Sequence, residues 1–116
     1  NMSFRDDRER IIDILTAIDK ALKYTKQTHT PFLEDELVQV WVIHHIQIIG
    51  EAAAKISDSF QENHPEIPWR AIIAMRNILV HQYFRINHQE IIHTLVNDLP
   101  KLSQQLSAIV SEMDRQ

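Results

Sequence analysis

The sequence contains no cysteine. Disulfides, thiolate nucleophiles and cysteine-ligated zinc are therefore excluded. It contains one glycine, Gly50. A sheet protein needs tight turns, and tight turns consume glycine, Asn-Gly and Asp-Gly. A single glycine therefore argues for a few long helices. It also excludes a Gly-rich phosphate loop and a dinucleotide-binding fingerprint, because both need several glycines. No continuous apolar run approaches the ~20 residues that a bilayer span requires. No charged-then-apolar leader opens the sequence, so the cytoplasm is the expected compartment. Asn1 ahead of Met2 reads as a residue added before a start methionine.

What is present fits one globular domain over residues 1–116, with 44% hydrophobic and 24% charged residues. Twelve Lys and Arg face sixteen Asp and Glu, a net charge of −4. Nucleic-acid-binding domains are usually basic, because phosphate contacts dominate their affinity. The charge here argues for a small, local footprint.

Hydrophobic periodicity predicts four long helices. The first runs from about Phe4 to about Lys26, with Ser3 as N-cap and Ile11, Ile12, Leu15, Ile18 and Leu22 as its stripe. Thr28–Pro31 form the break. The second runs from about Leu33 to about Ser57 and is apolar around most of its circumference, which suits a central helix or a subunit interface. A connector follows, with a short turn near Phe60. The third opens at Pro68 and ends near Tyr83 or Phe84. The fourth starts at an Asn87–Glu90 capping box, is kinked or split at Pro100, and frays beyond Ser111. The expected fold is all-α, a four- to five-helix up-and-down bundle.

One segment carries chemistry: Arg76-Asn77-Ile78-Leu79-Val80-His81-Gln82-Tyr83. Its polar side chains interrupt an apolar helix, and polar groups near a core need partners or a purpose. Asn77 and His81 are four apart and share a face. Arg76 and His81 are five apart, roughly 140° around the axis, so one helix does not bring them together well. A two-fold interface would. Histidine exchanges protons near neutral pH, and arginine binds phosphate and offsets growing negative charge. The pair suits RNA cleavage, other phosphate chemistry, or a structural role.

The segment resembles the Arg–polar–x–x–x–His–x–Tyr signature of the HEPN superfamily, and specifically the ribonuclease toxins of HEPN–MNT toxin–antitoxin pairs. Ile49-Gly50-Glu51-Ala52-Ala53, Ile67-Pro68-Trp69, Met75-Arg76-Asn77 and Asp98-Leu99-Pro100 are similar to that family and keep its order. Gln82 departs from it, since many relatives carry glycine there. The resemblance implies a HEPN-like bundle dimerising through the motif helix. It implies a metal-independent ribonuclease needing no cofactor, with Arg76 and His81 of both subunits in one cleft and Asn77 beside them. It implies a minimal nucleotidyltransferase as partner and antitoxin, neutralising the toxin by transferring AMP to Tyr83. The alternative is a nonenzymatic helical module that binds a nucleotide or supports such a partner. A purely structural helical dimer is a third reading, and it leaves the motif unexplained.

Other residues have lesser expected roles. Glu51 is expected to pair with Arg76, and Arg85, Arg70 and Lys55 to extend the RNA-binding surface, with Arg85 the best placed. Trp41 and Trp69 are expected in the core or an interface. The pairs His44/His45 and His88/His93 have spacings that suit no metal.

Overall fold

The computed structural model describes residues 2–25, 30–82 and 85–116, with side chains placed from Asp7 onward except at Thr30. Lys26–His29, Tyr83 and Phe84 lie outside the described residues. Every regular element among the described residues is helical: α1 (Met2–Leu22), α2 (Thr30–Glu34), α3 (Glu36–Ala54), α4 (Asp58–Asn63), α5 (Trp69–His81), α6 (His88–His93) and α7 (Leu99–Arg115). A π-helical turn, Thr94–Asp98, joins α6 to α7. The four long helical segments are α1, α3, α5 and the α6–α7 arm, so the bundle has the expected architecture.

α1 buries Ile11, Ile14, Ile18 and Ala21 on one face, while Ile12 is turned to solvent. That is an alternating three- and four-residue spacing with Ile14 on the stripe and Ile12 off it. The helix has already begun at Met2, so Ser3 lies inside it and is not its N-cap. α3 runs antiparallel to α1, as two ties at opposite ends show. Trp41 Nε1 donates to the Lys20 carbonyl at 2.6 Å, and Ser57 is bound to Asp7. α7 buries Leu99, Leu102, Leu106 and Ile109 and also packs on α1.

Local chemistry explains where the helices start. Asp35 caps α3 by accepting from the Leu37 and Val38 amides at 2.9 and 3.4 Å. The second long helix therefore begins at Glu36 and not at Leu33, because capping turns the chain at Asp35 and leaves Thr30–Glu34 as a separate short helix. Pro68 takes the N-cap position of α5, just outside the first helical residue. Asn87 caps α6 by accepting from Gln89 and Glu90 amides. Pro100 sits in the first turn of α7. It brings no N–H, and the π turn directly before it absorbs the mismatch without breaking the arm. Beyond Ser111 the chain remains helical, in contrast to the expected fraying. The Arg8 Nε and Nη2 donate to the Asp114 carboxylate at 3.0 and 3.1 Å, tying this end to α1. The same guanidinium holds the Asp114 carboxyl below its ordinary value.

α3 is the central helix. It packs on α1 along one side and on α5 along another. By length and composition it is apolar enough to cross a bilayer, more so than its interrupted sequence suggests. Its Val42, Ile43, Ile46, Ile49 and Ala53 are buried within the bundle. Its first turns nevertheless leave Leu37 79% and Val40 51% exposed.

Asp7 is 4% exposed and accepts from the Ser57 amide at 2.8 Å and the Ser57 hydroxyl at 2.6 Å. Removing the carboxylate strands a donor at the start of α4. Asp7→Ala should lower the unfolding free energy by about 1–3 kcal/mol in urea denaturation. Arg8→Ala, at an exposed ion pair, should shift it much less.

Candidate active site

α5 carries the motif, and it is the least buried of the long helices. Only Trp69 and Leu79 are fully buried along it. Trp69 anchors its start: the indole is buried and its Nε1 donates to the His64 carbonyl at 3.0 Å. One side of α5 packs on α3. On the other, Asn77, Ile78, Val80 and His81 are exposed, Ile78 by 43% and Val80 by 41%.

The position of Arg76 depends on Gly50. A Cβ built on Gly50 would lie 2.2 Å from Arg76 Cβ, 2.9 Å from its Cγ and 3.2 Å from the Ile72 carbonyl oxygen. The Gly50 backbone is ordinary helix, without a positive φ. Mid-helix glycine costs about 0.5–1 kcal/mol relative to alanine, so it needs a reason. The reason is close approach: α5 rests on α3 at the base of the Arg76 side chain. This role was absent from the sequence reading, which saw Gly50 only as the missing turn residue and as part of a family resemblance. The available signal was a lone glycine inside a nineteen-residue helix of strong apolar residues.

From that base the guanidinium reaches two partners. Arg76 Nη1 donates to Asn77 Oδ1 at 2.9 Å, and Nη2 lies 3.9 Å from Glu51 Oε1. Glu51 follows Gly50, so the expected Glu51–Arg76 pair is present, loosely made and about half exposed. Arg76 Nε is buried and has no hydrogen-bond partner among the described residues. The guanidinium is thus engaged through its two Nη groups, its Nε being shielded from solvent, and a phosphate oxygen is a suitable further acceptor for those Nη groups.

His81 is the last residue of α5 and is exposed. The structure brings together Arg76, Asn77 and Glu51. It makes no contact between Arg76 and His81 within the chain, as their spacing predicted. Arg85 is exposed just beyond, and its amide donates to the Gln82 carbonyl at 2.8 Å. Tyr83 lies between them, outside the described residues. Arg70 and Lys55 are exposed. Trp41 is half-buried against Tyr24 and His45. Among the described residues, no three His, Asp or Glu side chains cluster as metal ligands. An apolar groove of about 350 Å³ lies between α3, α5 and α7, but neither Arg76 nor His81 lines it.

The family model described as Ribonuclease HepT-like matches residues 14–109, which include α3, the whole of α5 and most of α7. The chain belongs to the HepT-like ribonuclease family. This is a HEPN-type family, and membership makes the chain a ribonuclease by class. A Methanocaldococcus jannaschii protein named "Putative RNase MJ1380" is 31% identical over 93% of this chain and 100% of its own length. A Thermococcus cleftensis protein named "Probable ribonuclease HepT" is 36% identical over 84% of this chain and 90% of its own. No solved structure matches the chain.

The Gly50 contact yields a test. Gly50→Ala adds a methyl where 2.2 Å is available, and overpacking costs typically about 1–3 kcal/mol. That exceeds the ~1 kcal/mol that alanine gains over glycine in a helix. The variant should therefore melt at a lower temperature by calorimetry, and its RNA cleavage should fall as Arg76 is displaced.

Proposed function

We propose that this HepT-like ribonuclease is the toxin of a toxin–antitoxin pair and works as a homodimer joined through α5. In this reading a two-fold axis beside the motif places Arg76 of one subunit near the partner subunit's His81. The observation that carries it is the exposed face of α5. Ile78 and Val80 offer apolar surface beside Asn77 and His81 that the described residues leave partly uncovered. Within one chain Arg76 and His81 point roughly 140° apart, so a second copy solves both problems at once.

The chemistry then follows from the residue types. Arg76 binds the scissile phosphate through its Nη groups, which Asn77 and Glu51 orient. The imidazole of His81 takes a proton from the ribose 2′-hydroxyl or gives one to the departing 5′-oxygen. Attack by the 2′-oxygen on phosphorus breaks the P–O5′ bond and leaves a 2′,3′-cyclic phosphate with a 5′-hydroxyl end. Arg76 offsets the charge that grows on the phosphoryl oxygens. No metal takes part in this scheme. Arg85, exposed beyond the motif, contacts a neighbouring phosphate.

Neutralisation rests on Tyr83. A partner minimal nucleotidyltransferase transfers AMP from ATP to the phenolic oxygen, with pyrophosphate leaving. Tyr83 lies two residues from His81 in sequence. A phosphate and an adenosine placed there would compete with RNA for the arginines and repel its backbone. The setting is the cytoplasm, where both partners and cellular RNA meet.

Cleavage of total RNA in EDTA tests the site. Arg76→Ala and His81→Ala should each lose about 10²–10⁴-fold in rate. Mixed dimers of the two variants should recover up to about half the wild-type rate, because one of the two shared sites regains both residues. No recovery on mixing would place Arg76 and His81 in a site within one subunit. A second test addresses regulation. Co-expression with the nucleotidyltransferase encoded beside this chain should add AMP by mass spectrometry and abolish cleavage. Tyr83→Phe should remain unmodified and active.

A further inference from the structure

A second polar cleft, of about 290 Å³, lies on the opposite flank of α3, between it and α1. Arg10, Asp13, Thr16 and Lys20 reach it from α1, and His45, Ile48, Glu51 and Lys55 from α3. Each set repeats every three or four residues, so each is one face of its helix. Ten residues at 1.5 Å each make the cleft about 15 Å long. α1 and α3 are antiparallel, so Arg10 and Lys55 share one end, and Lys20 and His45 the other.

Three features suit this cleft to a polyanion. It collects three of the twelve Lys and Arg in a chain of net charge −4. None of these three has a carboxylate within 4.0 Å among the described residues. The two carboxylates in the cleft are Asp13 and Glu51, and Glu51 is the ion-pair partner of Arg76. The three cations therefore exceed the two acids even with His45 neutral.

We propose that this α1–α3 cleft is a phosphate-binding subsite for the RNA strand, on the far side of Glu51 from the cleavage site. Glu51 is the wall common to both. A strand held at Arg76 and continuing over α3 reaches Lys55 and Arg10 one helical turn beyond Glu51, and Lys20 toward the other end. The cleft is long enough to take more than one phosphate of a strand. The subsite accounts for how a chain of net negative charge holds RNA: three of its twelve Lys and Arg are gathered in one groove beside the scissile position.

The identity of the strand rests on the ribonuclease reading above, so the experiment measures binding apart from cleavage. The probe is a fully 2′-O-methylated single-stranded RNA dodecamer, which has no free 2′-hydroxyl to react. Its Kd is measured by fluorescence anisotropy across a salt series, for wild type, Lys20→Gln/Lys55→Gln, Arg10→Gln and Lys101→Gln. Lys101 lies on α7 at the apolar groove and serves as the control. Each phosphate contact contributes roughly 0.7 to the slope of log Kd against log salt for a single strand. The double variant should flatten the slope by about 1.4, Arg10→Gln by about 0.7, and Lys101→Gln not at all. Equal slopes for wild type and the double variant, both folded by circular dichroism, would overturn the subsite. Flattened slopes with wild-type protein inert on unmodified RNA would keep the subsite and overturn the Arg76–His81 cleavage scheme.

Discussion

The contact between Gly50 and Arg76 is the constraint around which this molecule is arranged. α3 is the only element that packs substantially against both α1 and α5 among the described residues. Its one residue without a side chain faces the base of the one arginine that α5 brings to the site. Close approach there does two things. It seats α5 on the central helix although only Trp69 and Leu79 are fully buried along it. It also delivers the guanidinium to Glu51, the neighbour of the glycine. A fold contact and a site contact are thus the same contact, made by adjacent residues on α3.

The uneven burial of the bundle follows from that arrangement. α1, α3 and α7 share a conventional core of Ile, Leu and Ala, locked at one end by Asp7 with Ser57 and by Arg8 with Asp114. α5 is held on one side only, and its open side carries Asn77, Ile78, Val80 and His81. Apolar surface left beside polar, chemically competent side chains is the feature on which the proposed dimer rests. The half-packed character that weakens α5 as a core helix leaves its motif side chains accessible. α3 likewise presents different chemistry on its two flanks, an arginine contact toward α5 and a cationic cleft toward α1.

Much of this was legible in the residue order. Apolar spacing located the four long helices, and a single glycine with no cysteine removed the alternatives to an all-α bundle. The Arg76–His81 segment stood out because polar side chains broke an apolar pattern, and the five-residue spacing already indicated that one helix would not bring them together well. Capping residues marked starts that the structure moved by a few residues. Asp35 outcompeted Leu33 as the beginning of α3, and the helical start at Met2 overrode Ser3. The tail is helical where Arg8, more than a hundred positions away, pairs with Asp114. No local pattern reports such a partner.

What the sequence by itself determined was the helical class, the family and the identity of the chemical groups, because composition and periodicity act within a helix turn or two. What only the tertiary structure decided was which helix faces lie against each other. That arrangement gave Gly50 its role, left Arg76 Nε without a partner, aligned Arg10 and Lys20 with His45 and Lys55, and left Ile78 and Val80 uncovered. Each is a property of two helices packed at a particular rotation and distance. Those two quantities come from the sum of many small contacts across the bundle and are written in no single stretch of the chain.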